Sequence, residues 1–275
     1  MTEPELAGRV AVVTGASRGI GAAIAERFAL AGAAVCVTAR TVDPAGSRLE
    51  GTIHETVERI RARGGTAIAF AADLSVPDDR IRLIEHAKSE LGAIDVLVSN
   101  AAVTYFTPVV EFTPKRLALM LNVQVEAPLH LAQLVLPDMI ARSQGWILNI
   151  SSIAARHPKP TPGGRAFGGT VYGMCKAALE RFTTGLATEV YDQNVAVNAL
   201  SPNRVVPTPG TLFHHLVRPD DPDQELEAPE VMAEAALALC SAPPTTLTGR
   251  ITYSQDLLDE LGRHVAPSDA TQVER

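Results

Sequence analysis

Short, wholly apolar runs alternate along the chain with longer segments whose apolar positions recur every three or four residues. Residues 9–14 (RVAVVT), 34–38, 67–71, 94–98 (IDVLV), 146–150 and 195–200 read as strands, with 251–253 as a short last one. Between them, residues 19–31, 49–64, 77–91, 114–141, 171–191 and 229–241 read as helices. In the first helix Ile20, Ile24, Phe28 and Ala31 share a face. Gly64-Gly65 supplies a stop signal for the second, and Pro77 opens the third, where a missing N–H costs nothing. Pro128 predicts a kink in the long fourth helix. Strands such as VAVVT are apolar on both faces, as strands covered by helices on two sides must be. The β-α alternation predicts an α/β fold, a mostly parallel sheet with right-handed crossovers.

Two stretches break the rhythm. Residues 153–171 and 201–228 are irregular and rich in proline, and loops of that length in compact domains are often functional. The tail, 264–275, is polar and expected to fray.

Composition narrows the picture. The chain has 275 residues, 46% hydrophobic and 20% charged, which excludes a disordered chain and suits one domain over 1–275. Aromatics are only 4%, so Ala, Val, Leu and Ile must build the core. The net charge of −7, with no clustered cationic run, argues against nucleic-acid binding. Cys36, Cys175 and Cys240 are odd in number and form no C-x-x-C pair, which fits reduced thiols in a cytosolic protein. The opening MTEPELAGRV lacks the basic-then-apolar order of a signal peptide, and residues 28–39 are shorter than the ~20 of a membrane span. A cytoplasmic protein with no membrane partner is expected.

The sharpest chemical signal is Thr14-Gly15-Ala16-Ser17-Arg18-Gly19-Ile20-Gly21, set between the first strand and the first helix. Glycines there let backbone approach a pyrophosphate, and the helix N-terminus adds N–H donors and positive potential. The same residues match G-x-S-x-G, the hydrolase nucleophile elbow, but only thirteen residues precede Thr14, too few for the strands an elbow needs before it. The second signal is Tyr172-Gly173-Met174-Cys175-Lys176. Residues four apart on a helix share a face, and a nearby ammonium favours phenolate, lowering the Tyr pKa. Such a tyrosine can exchange a proton with a carbonyl or alcohol oxygen. A surface Tyr–Lys pair is the plain alternative. His214-His215 lacks the further spaced ligands a metal needs, so no metal is expected.

The order of these motifs, with Ser151-Ser152 after the fifth strand between them, resembles the single-domain short-chain dehydrogenase/reductases over about residues 8–255. The resemblance implies a doubly wound, Rossmann-like sheet of seven strands and hydride transfer with a nicotinamide cofactor. By that likeness Tyr172 is the acid/base, and Lys176 binds the nicotinamide ribose and lowers the Tyr pKa. Ser152 holds the substrate oxygen, with Ser151 the fallback, and Asn122 holds a water in the proton relay. Asp73, in Ala72-Asp73-Leu74, would contact adenine, Asn100-Ala101 the cofactor ribose and Val205 the carboxamide. The expected cofactor contacts are therefore Gly15, Ser17, Arg18, Gly19, Ile20, Gly21, Arg40, Thr41, Asp73, Leu74, Asn100, Ala101, Tyr172, Lys176 and Val205.

Charge argues for NADP(H) over NAD. The second strand ends in Thr38-Ala39-Arg40-Thr41, without the acid that would repel a 2′-phosphate, and Arg18 and Arg40 both offer guanidinium to it. Some positions depart from the family pattern. Ser152 and Tyr172 stand 20 apart, wider than usual, which predicts a flap over 153–171. Ala102 and Asn203 replace glycines, and Pro207 displaces the expected threonine to Thr208, which puts the carboxamide and diphosphate contacts of that loop in doubt. Asn tolerates positive φ better than most residues. Residues 203–228 are the expected substrate lid, and Leu212, Phe213, Leu216 and Val217 within it hint at a small apolar substrate. The helices 114–141 and 171–191 are expected on one sheet face; relatives pair such helices between subunits, and the resemblance implies a homodimer or homotetramer. The alternatives are a cofactor-binding sensor or scaffold without turnover, and an enoyl-type C=C reductase.

Overall fold

Every second residue of the first strand faces the same helix layer, and that alternation divides the core in two. In a computed structural model, which describes residues 3–160, 168–218, 221 and 223–265, seven strands form one sheet: β1 (Val10–Thr14), β2 (Ala34–Ala39), β3 (Thr66–Ala71), β4 (Val96–Ser99), β5 (Gly145–Ile150), β6 (Val195–Ser201) and β7 (Ile251–Tyr253). Their order is β3-β2-β1-β4-β5-β6-β7 and every pairing is parallel, so the sheet is parallel throughout. Ala11 and Val13 point into one core with Phe28, Ile60 and Leu237, which come from α1 (Gly19–Leu30), α2 (Ile53–Ala62) and α8 (Pro229–Ser241). Val10 and Val12 point into the other with Leu83, Leu131 and Leu186, from α3 (Pro77–Leu91), α5 (Ala127–Ala141) and α6 (Thr170–Glu189). Strand order reverses between β1 and β4, and the crevice beyond the carboxyl ends of strands at such a switch point is where open α/β sheets bind ligands.

Several predicted elements move. α2 starts at Ile53 because Thr52 and Glu55 form a capping box just ahead of it. The expected kink at Pro128 lies one turn earlier. α4 (Pro114–Leu121) passes into α5 through a π turn, Asn122–Glu126, and Pro128, with no N–H to give the preceding turn, sits in the first turn of α5. By length and composition the 114–141 run could cross a bilayer, yet Leu131, Val135 and Met139 form the core beneath the sheet.

Two helices escape the sequence pattern. α7 (Pro209–Phe213) stands inside the expected lid, started by a Thr208–Thr211 capping box. α9 (Ser254–Leu261) directly follows β7. Residues 161–167 of the expected flap and 266–275 of the expected frayed tail lie outside the described residues.

Candidate active site

The glycine-rich turn is shaped by a side chain from the neighbouring strand end. Asn100, just past β4, donates from Nδ2 to the carbonyls of Thr14 (2.9 Å) and Gly15 (3.1 Å). Thr14 Oγ1 in turn donates to Val98 O (3.1 Å) and accepts from the Asn100 and Ala101 amides. Gly15 has φ +65° and Gly19 φ +56°, conformations that disfavour a side chain. A Cβ on Gly15 would also stand 2.8 Å from Ala101 Cα. Gly19 faces Thr208 at the mouth of the lid.

Beyond this turn lies a cleft of about 270 Å³, lined among others by Gly15, Ser17, Arg18, Arg40, Thr41, Asp73, Leu74, Asn100 and Ala101. Nine expected cofactor contacts thus meet in one place. Ile20 does not: it packs against the core. Ser47, Leu49, Val103 and Val123 also line the cleft, and no motif marked them.

The two arginines differ in what they touch. Arg18 donates to Ser47 Oγ (3.2 Å), Thr41 Oγ1 (2.9 Å) and Gly51 O (2.8 Å), pinning the 41–51 loop, while its Nε is buried with no partner. Arg40 is 61% exposed and lies 3.9 Å from Asp73 Oδ2. Partial burial raises the Asp73 pKa, but hydrogen bonds from Ser75 and the charge of Arg40 outweigh it, and the carboxyl ends below its ordinary range.

The reaction end is built where β5 stops. Ser151 and Ser152 take different directions. Ser151 is buried and donates to Glu180 Oε1 (2.7 Å). Ser152 starts the short turn 153–155 and accepts from Ala154 N (3.2 Å), leaving its hydroxyl toward Tyr172. Gly173 allows the closeness: a Cβ there would be 2.5 Å from Ala154 O, so only glycine lets α6 seat against the Ser152 turn.

Lys176 is 3% exposed and donates to Ile150 O (2.7 Å), with Nζ 5.7 Å from the Tyr172 ring centre. Burial lowers its pKa to about 8, although Cys175 and Glu180 favour the charged form. The Tyr172 pKa is shifted opposite to expectation. Burial raises it, and hydrogen bonding with Ser152 only partly counters that. The Lys176 ammonium, 5.7 Å from the ring centre and bonded to the Ile150 carbonyl, does not offset that burial.

Asn122 stands apart from this trio. Its Oδ1 accepts from Arg80 Nη2 and its Nδ2 donates to Ser75 O (3.2 Å). Arg80, 1% exposed, also donates to Leu74 O (2.7 Å). The side-chain amide therefore ties the π turn to the loop after β3, and no described hydrogen bond joins it to Tyr172 or Lys176.

Val205 sits at the foot of the lid rather than in the cleft. It bridges Leu226, its carbonyl accepts from Glu227 N (3.0 Å), and beside it Arg204 pairs with Glu225 at 3.1 Å. The buried Glu227 carboxylate accepts from Ser254 Oγ (2.5 Å) and Asn203 N (3.0 Å), yet burial still raises its pKa. Asn203 does not use positive φ. Its Oδ1 accepts from Gln255 N (2.8 Å) and Asp256 N (3.4 Å), capping α9 from outside the helix. The sequence marks Asn203 only as a departure from glycine; its capping role and the buried Glu227 carry no local signal.

Comparison with known proteins agrees with this architecture. Residues 9–211 match the family model for short chain dehydrogenase. A short chain dehydrogenase of Pseudocercospora fijiensis is 35% identical over 220 residues, 79% of this chain, and the matched part spans 64% of that relative. A 3-oxoacyl (acyl-carrier-protein) reductase of Agrobacterium tumefaciens, solved with NADP bound, is 34% identical with a TM-score of 0.76, covering 90% of this chain and 93% of the other. L-Sorbose reductase of Gluconobacter frateurii, solved with NADPH and L-sorbose, is 30% identical with a TM-score of 0.77, covering 92% and 97%. The likeness extends over most of the chain, and the chain belongs to the short-chain dehydrogenase family of oxidoreductases.

Proposed function

We propose that the protein is an NADP(H)-dependent oxidoreductase that interconverts a carbonyl and an alcohol on a small apolar substrate. The observation that carries this reading is the convergence of Ser152, Tyr172 and Lys176 past the end of β5, next to the end of β4, whose following residues Asn100–Val103 line the cleft. The cleft fits a dinucleotide. Its glycine turn packs so closely on Asn100 and Ala101 that no Cβ fits at Gly15 or Gly21, which brings bare backbone to the cleft, and a buried, unpartnered Arg18 Nε waits for an anion. Two arginines and no acid at the end of β2 favour a 2′-phosphate, and the Agrobacterium and Gluconobacter structures carry NADP and NADPH.

A nicotinamide held in the cleft would supply or accept the hydride. The chain supplies the rest. With its pKa raised, the Tyr172 hydroxyl is protonated at neutral pH, the state a proton donor to a carbonyl oxygen needs. The Ser152 hydroxyl steadies the oxygen as negative charge develops there. The buried Lys176 ammonium, held by Ile150 O, stabilises the tyrosinate left behind. Ser151, committed to Glu180, orients α6 against β5 instead.

The test is a carbonyl panel assayed with NADPH, followed by Tyr172→Phe and Ser152→Ala on whichever substrate turns over. Tyr172→Phe should lose at least about a hundredfold in kcat while NADPH binding persists. Wild-type turnover by that variant would overturn the assignment.

A further inference from the structure

In a chain with seven Phe, four Tyr and one Trp, three aromatic rings and a histidine line up on one side of the site. Phe106 meets Tyr172 edge-on, with ring centres 5.8 Å apart, and meets His214 at 5.3 Å and 82°. Phe213 meets His214 at 5.3 Å and 81°. The row begins at the hydroxyl-bearing ring and ends on the lid. Three separate segments build it: the loop after β4, the start of α6 and α7.

The wall is fixed from behind. Tyr105 and Phe112 pack with Met120, Val171 and Cys175 into a small core of their own. Gly168 presses on the same strip, since a Cβ there would lie 2.4 Å from Thr107 N and 2.6 Å from the Phe106 carbonyl carbon. In front the wall is open: Phe213 is half exposed, and Phe106 and His214 are only partly buried. Burial, with His215 beside it, lowers the His214 pKa, so its ring is uncharged near neutral pH.

We propose that this row binds an aromatic or fused-ring group of the carbonyl substrate, with Phe106 as the specificity-determining residue. The inference rests on the carbonyl reading above and adds the substrate class to it. Edges and faces of rings attract one another beyond the area they bury, whereas a saturated group of equal size gains the area alone. A ring laid against Phe106 and His214 brings an attached carbonyl toward the Tyr172 hydroxyl at the other end of the row.

The experiment compares an aryl methyl ketone with its cyclohexyl counterpart in wild type and Phe106→Leu. The ratio of the two kcat/KM values cancels intrinsic reactivity when compared between proteins. It should fall about tenfold in the variant, through KM rather than kcat. His214→Leu, on the lid, should move the ratio the same way without touching the Tyr105–Phe112 packing. An unchanged ratio in both variants overturns the proposal. Calorimetric binding of the same pair to the cofactor-loaded protein needs no turnover. Tighter binding of the aromatic member, lost in Phe106→Leu, supports the wall even if neither ketone is reduced, a result that would count against the carbonyl reading alone. Equal affinities, or binding of neither, overturn the wall.

Discussion

Asn100 and Gly21 compete for one space. The Asn100 Nδ2 lies 2.4 Å from where a Gly21 Cβ would stand, and the same atom holds the Thr14 and Gly15 carbonyls. A methyl group there displaces the amide that shapes the turn. Gly21→Ala should therefore weaken NADPH binding at least about tenfold and destabilise the fold by roughly 1–3 kcal/mol. Fluorescence titration and thermal melting read the two effects separately. Wild-type affinity in this variant would mean that the turn does not hold the cofactor.

The arginines should part company when mutated. Arg40 is exposed and its only described charged neighbour is Asp73, so Arg40→Ala should weaken NADPH by about 10- to 100-fold and leave NADH nearly unchanged, the worth of one charge-assisted hydrogen bond. Arg18 also pins the 41–51 loop, so Arg18→Ala should weaken both cofactors and lower the melting temperature. Parallel titrations with the two reduced cofactors decide it. Equal losses for both in Arg40→Ala would remove the case for a 2′-phosphate contact.

Lys176 makes activity and stability respond to pH in opposite senses. Its folded pKa is about 8 against an ordinary 10.5. Between those values the unfolded chain binds more protons, so the residue's contribution to stability grows as pH rises through that window. Below about 8 both states are charged and the buried charge is a constant cost. The ammonium that supports the tyrosinate is lost over the same range, so carbonyl reduction should decline above pH 8. A pH profile of kcat/KM should show this limb in wild type and lose it in Lys176→Met. A limb that survives the substitution belongs to another group.

Asn203 acts as a cap on α9. Asn203→Ala removes the acceptor for the Gln255 and Asp256 amides. The expected cost is about 1 kcal/mol, a fall in melting temperature of roughly 2–4 °C. Thermal denaturation of the variant measures it directly, and an unchanged midpoint would show the cap to be idle.

The sheet was legible because its strands are apolar on both faces, a pattern that only helices on two sides explain. The cleft was legible because glycine spacing and terminal arginines act locally, within a few residues of the chain. What escaped depends on distant contacts. The π turn arises from Arg80 and Ser75 reaching Asn122 across 42 and 47 residues. α9 takes its cap from a residue 52 positions away. The raised Tyr172 pKa escaped for a similar reason. Y-x-x-x-K places two side chains on a face but says nothing of the Ile150 carbonyl that engages the lysine, nor of the depth at which the phenol sits. The choice between Ser151 and Ser152 likewise needed Glu180, 29 residues onward.

The foot of the lid is closed by short-range bonds: Val205 against Leu226, Glu227 on Asn203 and Ser254, Arg204 on Glu225. Chain enters and leaves this segment at nearly one point. The residues between 206 and 225 can consequently be treated as a cassette. Lengthening it costs little, because loop-closure entropy grows only logarithmically and doubling the length adds about 0.6 kcal/mol. A segment from another reductase, spliced in above the intact foot, would inherit the same anchorage and face the same hydroxyl. Substrate range in such a scaffold is open to exchange by transplantation, with the sheet and the cleft left as they are.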